Sequence, residues 1–422
     1  MEAMKMNGNG NGRETGGPGF EDLGLRPELM RAIDELGFER PTPVQVEAIP
    51  PALEGRDILG CAMTGSGKTA AFVLPILQRI LDDPRRGTRA LILTPTRELA
   101  AQVAEHLAEL AAHANVRVAT VFGGVGAAPQ ETAFKKGVEV IVGTPGRLLD
   151  HFQHDYAKLS GLEVLVFDEA DRMLDMGFLP DIKRILRHLP KTPRQTLFFS
   201  ATMPKEIVAL SRDILRDPVR ISVERKSAPA RGVVQALYPV RPQLKVDLLA
   251  RLLERGEIGN AIVFCRTKHR ADRVAKKLAA RGITAGRIHG NRSQGQRTAA
   301  LAAFKDGHTR VLVATDIVAR GIDVEALDHV VNFDVPHTPD DYIHRVGRTA
   351  RADMTGDAYT LVSPDEEGTI RAIERALGRA IERRTVEGFD YHAPVESRLE
   401  APGRERARPR HARRTPARLS PR

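Results

Sequence analysis

The feature that most constrains this chain is a set of short segments with no polar face. ALILT (90–94), VEVIVG (138–143), LEVLVF (162–167) and QTLFFS (195–200) carry apolar side chains at nearly every position, odd and even alike. A strand sends successive side chains to opposite faces, so a strand apolar on both must be covered on both. The intervening segments have the helical period: in PTRELAAQVAEHLAEL, Leu99, Val103, Leu107 and Leu110 recur along one stripe. Strands alternating with such helices predict an α/β fold, a mostly parallel sheet with helices on both faces.

The alternation occurs twice. ERKSAPARG (224–232) has no apolar period and reads as a linker; beyond it NAIVFC, TAGRIH, RVLVAT, DHVVNF and DAYTLV are strands, with KHRADRVAKKLAARG and QRTAALAAFKDG as helices between them. The expected organisation is a flexible Gly- and Asn-rich leader at 1–19, a first domain at 20–223, the linker, a second domain at 233–384 and a tail at 385–422. The length of 422 residues suffices for two cores. No repeat of 20 to 50 residues is visible, which argues against a solenoid.

Net charge is +10, and residues 396–422 hold nine Arg against three Glu, so more than half of the excess lies in a tail that cannot bury a core. A polyanionic partner is expected, with the tail as a tether. Trp is absent and aromatics are 5% of the chain, so a nucleic acid would be held by its backbone and not by stacking. The two cysteines, Cys61 and Cys265, sit in apolar runs without CxxC spacing, which argues against a zinc or disulfide framework and for a reducing, cytoplasmic location. No apolar run approaches the roughly 20 residues of a membrane span.

Two motifs carry chemistry. DILGCAMTGSGKTAAFVLPIL is a strand, a glycine turn and a helix, in which Gly65 and Gly67 let backbone N–H groups face phosphate oxygens. Thr64 and Ser66 complete the loop, Lys68 would reach the outer phosphates, and the Thr69 hydroxyl could bind Mg²⁺. The usual pattern opens with Gly where this chain has Ala62. The second motif is the acidic cluster ending LEVLVFDEAD: carboxylates about 4 Å apart repel by about 1 kcal/mol in water and about four times that in a protein cleft, so a cation is expected. Asp168 would hold the Mg²⁺, through water, and Glu169 would orient and deprotonate an attacking water.

AMTGSGKT together with DEAD at 168–171 resembles the DEAD-box ATP-dependent RNA helicases, and further motifs match in order over about residues 20–370. The resemblance implies two tandem RecA-like domains with ATP and RNA bound at the cleft between them. GFERPTPVQ resembles the family's glutamine motif, implying that Gln45 reads the adenine edge and Phe20 stacks on the ring. PTRELA, GG at 123–124 and TPGR at 144–147 imply RNA contacts by Pro95, Arg97, Gly124, Thr144 and Arg147. SAT at 200–202 implies that Ser200 and Thr202 couple hydrolysis to strand separation through Asp171. IVFCRT, HGNRSQGQR, VLVATDIVARGIDV and HRVGRTAR imply RNA contacts by Gly290, Arg297 and Thr315, a ribose contact by Asp323, and arginine fingers at Arg348 and Arg351. His344 is expected to be a structural or domain-contact residue. Met63, where the family often has Gln, and Ala350, where Gly is common, remove no ligand group.

The implied activity is RNA-stimulated ATP hydrolysis that melts short RNA duplexes, by a monomer acting on RNA or on a ribosomal or degradosome-type ribonucleoprotein. Two other readings stay open on the residues alone. One is an ATP-gated RNA clamp that nucleates an assembly; the other is a DNA translocase of a related two-domain superfamily.

Overall fold

The computed structural model describes residues 17–62, 65–222, 233–316, 327–349 and 356–393. The expected linker at 224–232, the leader through residue 16 and the tail beyond residue 393 lie outside them, as do Met63, Thr64, Asp323, Ala350 and Arg351. The first sheet contains β1 (Ile58–Cys61), β2 (Ala90–Leu93), β3 (Val118–Val121), β4 (Val140–Gly143), β5 (Val164–Phe167), β6 (Gln195–Ser200) and β7 (Val219–Ser222). The second contains β8 (Val233–Pro239), β9 (Ala261–Cys265), β10 (Ala285–Ile288), β11 (Val311–Thr315), β12 (His329–Asn332), β13 (Gly356–Val362) and β14 (Glu382–Arg383).

The strand orders are β3-β4-β2-β5-β6-β1-β7 and β10-β11-β9-β12-β13-β8-β14, all pairs parallel. Subtracting seven from each label of the second order reproduces the first, so one topology is used twice.

The absence of a polar face has its explanation in the packing. In β2, Ala90 and Ile92 enter one core while Leu91 and Leu93 enter another on the opposite side; Val164 and Val166 of β5 divide from Leu165 and Phe167 in the same way. Each fully buried Leu, Val or Phe contributes about 1.5–3 kcal/mol, and the two-sided strand uses both faces. The helix Arg97–Leu110 lays Ala100, Val103, Leu107 and Leu110 on the first core, and the Thr96 hydroxyl caps it by accepting the Leu99 N–H at 3.3 Å. Leu99, expected in the buried stripe, is only partly buried against it.

Two details differ from the sequence reading. Residues 385–393, expected to start the tail, pack on the second domain: Val386 is buried, Phe389 and Tyr391 lie against the same core, and the Arg241 guanidinium donates to the Ala393 carbonyl at 2.8 Å. Cys265 is buried as expected, whereas Cys61 is only half-buried, its thiol 3.7 Å from the Ala201 carbonyl oxygen. Among the described residues no helix is long and apolar enough to cross a membrane.

Candidate active site in the cleft

Parallel strands deliver their following loops to one edge of a sheet, and both expected motifs meet at the carboxyl edge of the first. After β1 the chain turns through Gly65 (φ +81°) and Gly67 (φ +90°) into the helix Lys68–Asp82. Only glycine fits at position 67, because its φ is left-handed and a Cβ there would lie 2.6 Å from Gln45 Nε2. Gln45 Nε2 donates to the Gly67 carbonyl at 3.1 Å and its Oε1 accepts the Thr42 N–H at 2.8 Å. One N–H and one lone pair of the amide remain, the pair that matches an adenine edge. Phe20 is placed differently from the expectation: it is 2% exposed, and its ring packs on Phe38 with centroids 6.3 Å apart.

Lys68 Nζ faces Asp168 Oδ1 at 3.8 Å, with both side chains buried. That is too long for a hydrogen bond, and neither atom has a hydrogen-bond partner among the described residues. Buried charged atoms left in this way cost several kcal/mol unless something else satisfies them. Burial pushes the Asp168 carboxyl up to about 6, with Lys68 opposing and Glu169 adding to the rise. Burial acts on Glu169 in the same direction, but the charges of Arg172, Lys68 and Arg348 outweigh it and hold that carboxyl at about 2. Glu169 is also one of two described non-glycine residues with positive φ (53°), a left-handed conformation at the start of the helix Ala170–Asp175. Such backbone costs of order 1–3 kcal/mol and persists where the surroundings impose it. Its carboxylate pairs with Arg172, three residues on.

Asp171 is tied to the loop after β6. Its Oδ2 accepts the Thr202 N–H at 2.7 Å and the Thr202 hydroxyl at 2.8 Å, its N–H donates to Ser200 Oγ at 3.2 Å, and Ser200 Oγ donates to the Thr202 carbonyl at 2.7 Å. Thr69 lies half-buried in the first turn of the helix that Lys68 opens.

The second domain closes on this edge. Arg348, 8% exposed, stands near enough for its charge to lower Glu169. It follows the helix Pro339–Val346, which is fixed by the buried Arg345: Nε and one terminal nitrogen grip Asp316 at 2.6 and 2.7 Å, and the other donates to Asn332 Oδ1 at 3.0 Å and the Asp334 carbonyl at 2.8 Å. His344 of that helix and Asp171 line a cavity of ≈ 520 Å³ between the domains. Farther along the cleft, Glu98 accepts from Gln294 at 3.0 Å and from Arg297 at 2.5 Å.

The other residues expected at RNA lie on the same edges. Pro95 is buried beside Arg97, whose guanidinium covers Gly123 and Gly124; a Cβ on Gly124 (φ +81°) would fall 2.0 Å from it. Thr144 opens the helix Pro145–Phe152, and Arg147 donates to the Val125 carbonyl at 3.2 Å. Gly290 is exposed, with open space where a Cβ would point, and Thr315 is the buried last residue of β11.

Comparison with known proteins agrees with this geometry. The model of the DEAD/DEAH box helicase family matches residues 42–210, and that of the helicase conserved C-terminal domain matches residues 244–353. The DEAD-box ATP-dependent RNA helicase CshA of Geobacillus kaustophilus is 45% identical over 380 residues, covering 90% of this chain and 81% of that protein. The chain belongs to the DEAD-box ATP-dependent RNA helicases. Among solved structures, S. cerevisiae Dbp5 bound to RNA and ADP BeF3 superposes with a TM-score of 0.79 at 30% identity, over 87% of this helicase and 95% of that chain. A variant of S. cerevisiae Dbp5 bound to Nup159, a Gle1 variant, IP6 and ADP gives 0.62 at 29% identity, over 86% and 96%.

Sequence reasoning missed four residues of the helicase cleft: Glu98, Arg172, Gln294 and Arg345. Two of them, Gln294 and Arg172, had a local signal, whereas the partners of Glu98 lie in the other domain. Gln294 and Arg297 are three apart, as are Glu169 and Arg172, the spacing that puts two side chains on one helical face. Arg345 had none, since its partners come from the residue after β11, from β12 and from the loop after β12. Arg297 needs correction as well. Expected on RNA, it is 7% exposed and bonded to Glu98 across the cleft; its buried Nε, without a hydrogen-bond partner among the described residues, is the atom left for a phosphate.

Proposed function

We propose that this helicase hydrolyses ATP in the cleft only when RNA and nucleotide have closed the two domains, and that the closed form bends one strand of a short RNA duplex and so melts it. The carrying observation is the buried Lys68–Asp168 pair, whose facing atoms find no hydrogen-bond partner among the described residues, set beside a strained, ionised Glu169 that Arg348 of the other domain helps to hold anionic. A pair of this kind suits the outer phosphates of ATP. Lys68 and the backbone of Gly65, Ser66, Gly67 and Thr64 would hold them, and Gln45 would read the base, with Phe20 packed on Phe38. Asp323 is proposed at the ribose.

The donor set fits a magnesium ion, because Asp168 and Thr69 offer hard oxygens and one buried Asp168 oxygen has no hydrogen-bond partner among the described residues. When bound, magnesium neutralises phosphate charge. Glu169, anionic at neutral pH, would accept a proton from the attacking water. Arg348 and Arg351 would stabilise the charge that spreads over the equatorial oxygens, and because they belong to the second domain they do so only on closure. Asp171, Ser200 and Thr202 would transmit the state of the phosphate site to the cleft. Pro95, Arg97, Gly124, Thr144, Arg147, Gly290, Arg297 and Thr315 would hold phosphates and sugars without reading sequence.

The TM-scores support a closed reading. The fit to Dbp5 is better in its RNA and ADP BeF3 form than in its form with other proteins, 0.79 against 0.62. For boundaries we propose domains at 20–223 and 233–384, the second extended to about residue 393 by the packing of Val386, and a basic tail beyond. We further propose a cytoplasmic monomer acting on ribosomal or degradosome-type ribonucleoprotein, a target that sequencing of crosslinked RNA would test.

The decisive experiment is steady-state ATPase with and without RNA, on wild type and Glu169→Gln. RNA should stimulate the wild type; the variant should bind ATP normally and lose about 10²-fold or more of its turnover. A rate unaffected by RNA, or a Glu169→Gln enzyme of wild-type rate, overturns the reading.

A further inference from the structure

The edge of the first sheet opposite the phosphate loop carries a cavity of ≈ 410 Å³ that the ATPase does not use. Four arginines line it from four segments: Arg56 ahead of β1, Arg79 from the helix Lys68–Asp82, Arg194 ahead of β6 and Arg216 ahead of β7. Three acids share the lining: Asp57 and Glu163 are engaged by other groups, whereas Asp217 pairs with Arg56 of the site, and Arg79 donates to Gln195 at 3.0 Å. Asp57 is taken by backbone, accepting the Thr196 N–H at 2.7 Å and the Arg216 N–H at 2.8 Å. Glu163 pairs with Arg85 and Arg89, both at 2.8 Å. Asp217, its side chain 98% exposed, reaches Arg56 at 3.3 Å.

Arg194 is the most telling of the four. Its Nε is buried without a hydrogen-bond partner among the described residues, while one terminal nitrogen donates to the Pro190 carbonyl at 3.1 Å. Burial, then the like charge of Arg216, pulls its guanidinium below the ordinary value, with Asp57 opposing. Gly55 (φ +80°) brings backbone close to Arg79; a Cβ there would meet the guanidinium at 3.4 Å. Four guanidiniums against three carboxylates around one concavity, with the buried Arg194 Nε unsatisfied, favour an anion there.

We propose that this cavity binds a compact anion carrying two or more phosphate groups, such as pyrophosphate or the diphosphate end of a nucleotide. Planar guanidiniums bind phosphate oxygens bidentately, and the volume is that of a small-molecule site. A polynucleotide, by contrast, follows an extended groove, whereas these arginines meet in one concavity. The site lies at the amino ends of β1, β5 and β6, whose carboxyl ends bear the phosphate loop, Asp168 with Glu169, and Ser200.

Calorimetric titration of inorganic pyrophosphate tests it, using the full chain saturated with RNA and a non-hydrolysable ATP analogue so that the phosphate loop is filled. One equivalent should bind, and Arg194→Ala combined with Arg216→Ala should weaken it about tenfold or more. The single variant Arg216→Ala keeps the backbone N–H on Asp57 and should melt like wild type while still losing about threefold in affinity. No binding to the filled protein, or undiminished binding by either variant, overturns the site. Displacement of pyrophosphate by excess single-stranded RNA overturns the compact-anion assignment in favour of backbone phosphates.

Discussion

The two sheets share one strand order, yet the buried lysine that each domain carries is treated in opposite ways. In the first, Lys68 and Asp168 face each other at 3.8 Å and each presents a buried atom without a hydrogen-bond partner among the described residues. In the second, Lys245 donates to Glu366 at 2.5 Å and to the Phe333 carbonyl at 3.0 Å, and Arg345 is held by Asp316, Asn332 and the Asp334 carbonyl. Glu366 also accepts from the Ser363 hydroxyl at 2.6 Å and from Arg266 at 3.1 Å. The difference separates a binding site from a scaffold. Charges satisfied by protein hold loops in place, and charges left unsatisfied await a ligand.

Exchange of the two lysines gives the sharpest test. Lys68→Met should abolish ATP turnover while costing the nucleotide-free protein little stability, because the 3.8 Å pair makes no hydrogen bond and Asp168, already raised to about 6, takes up a proton once the ammonium is gone. Lys245→Met should do the reverse, destabilising the second domain by about 3–5 kcal/mol through the stranded Glu366. Thermal melts and ATPase rates on both variants would show it, and equal destabilisation by the two would break the comparison.

Next in size is the contact between the sheets. Glu98→Gln weakens the bonds that Gln294 and Arg297 make across the cleft, and charge-assisted bonds are worth about 1.5–3 kcal/mol, so RNA-stimulated turnover should fall about tenfold with ATP affinity unchanged. Fluorescence transfer between labels on the two domains should report fewer closed molecules.

The satisfied cluster also has a pH signature. Burial acts to raise Glu366, but the charge and hydrogen bonds of Lys245 and the Ser363 hydroxyl prevail, so its folded carboxyl titrates below the unfolded value. Its stabilisation is therefore complete above the unfolded pKa of about 4.3 and disappears as pH falls through the lower, folded value. The stability gap between wild type and Glu366→Gln should be constant from neutral pH to about pH 5 and should shrink below about pH 4.

The smallest expected effect lies at Gly124. Alanine there would displace the Arg97 guanidinium, and RNA affinity should drop by a few-fold, about the value of one phosphate contact, with ATP binding unchanged.

Much of this was legible in the chain itself. The two-faced apolar runs marked most interior strands because burial on both sides of a parallel sheet leaves that pattern and few others do. GSGKT and DEAD were legible because phosphate and its metal demand particular atoms at fixed local spacing. Two of the four edge strands were not: β7 alternates, with Val219 half-buried, Arg220 exposed and Ile221 buried, and β14 has only two residues, both exposed. Phe20 illustrates the limit of a motif, since its place in the sequence gave no sign that Phe38 would cover it.

By itself the sequence determined the composition of the two sheets and the local chemistry of each loop, because strand burial and phosphate binding act over a few residues. Only the tertiary structure decided that Glu98 meets Arg297, that Arg345 locks the loop before Arg348 and that four arginines surround one cavity. Those outcomes depend on which charges remain unsatisfied once segments distant in the chain are packed together, and that balance has no local signature.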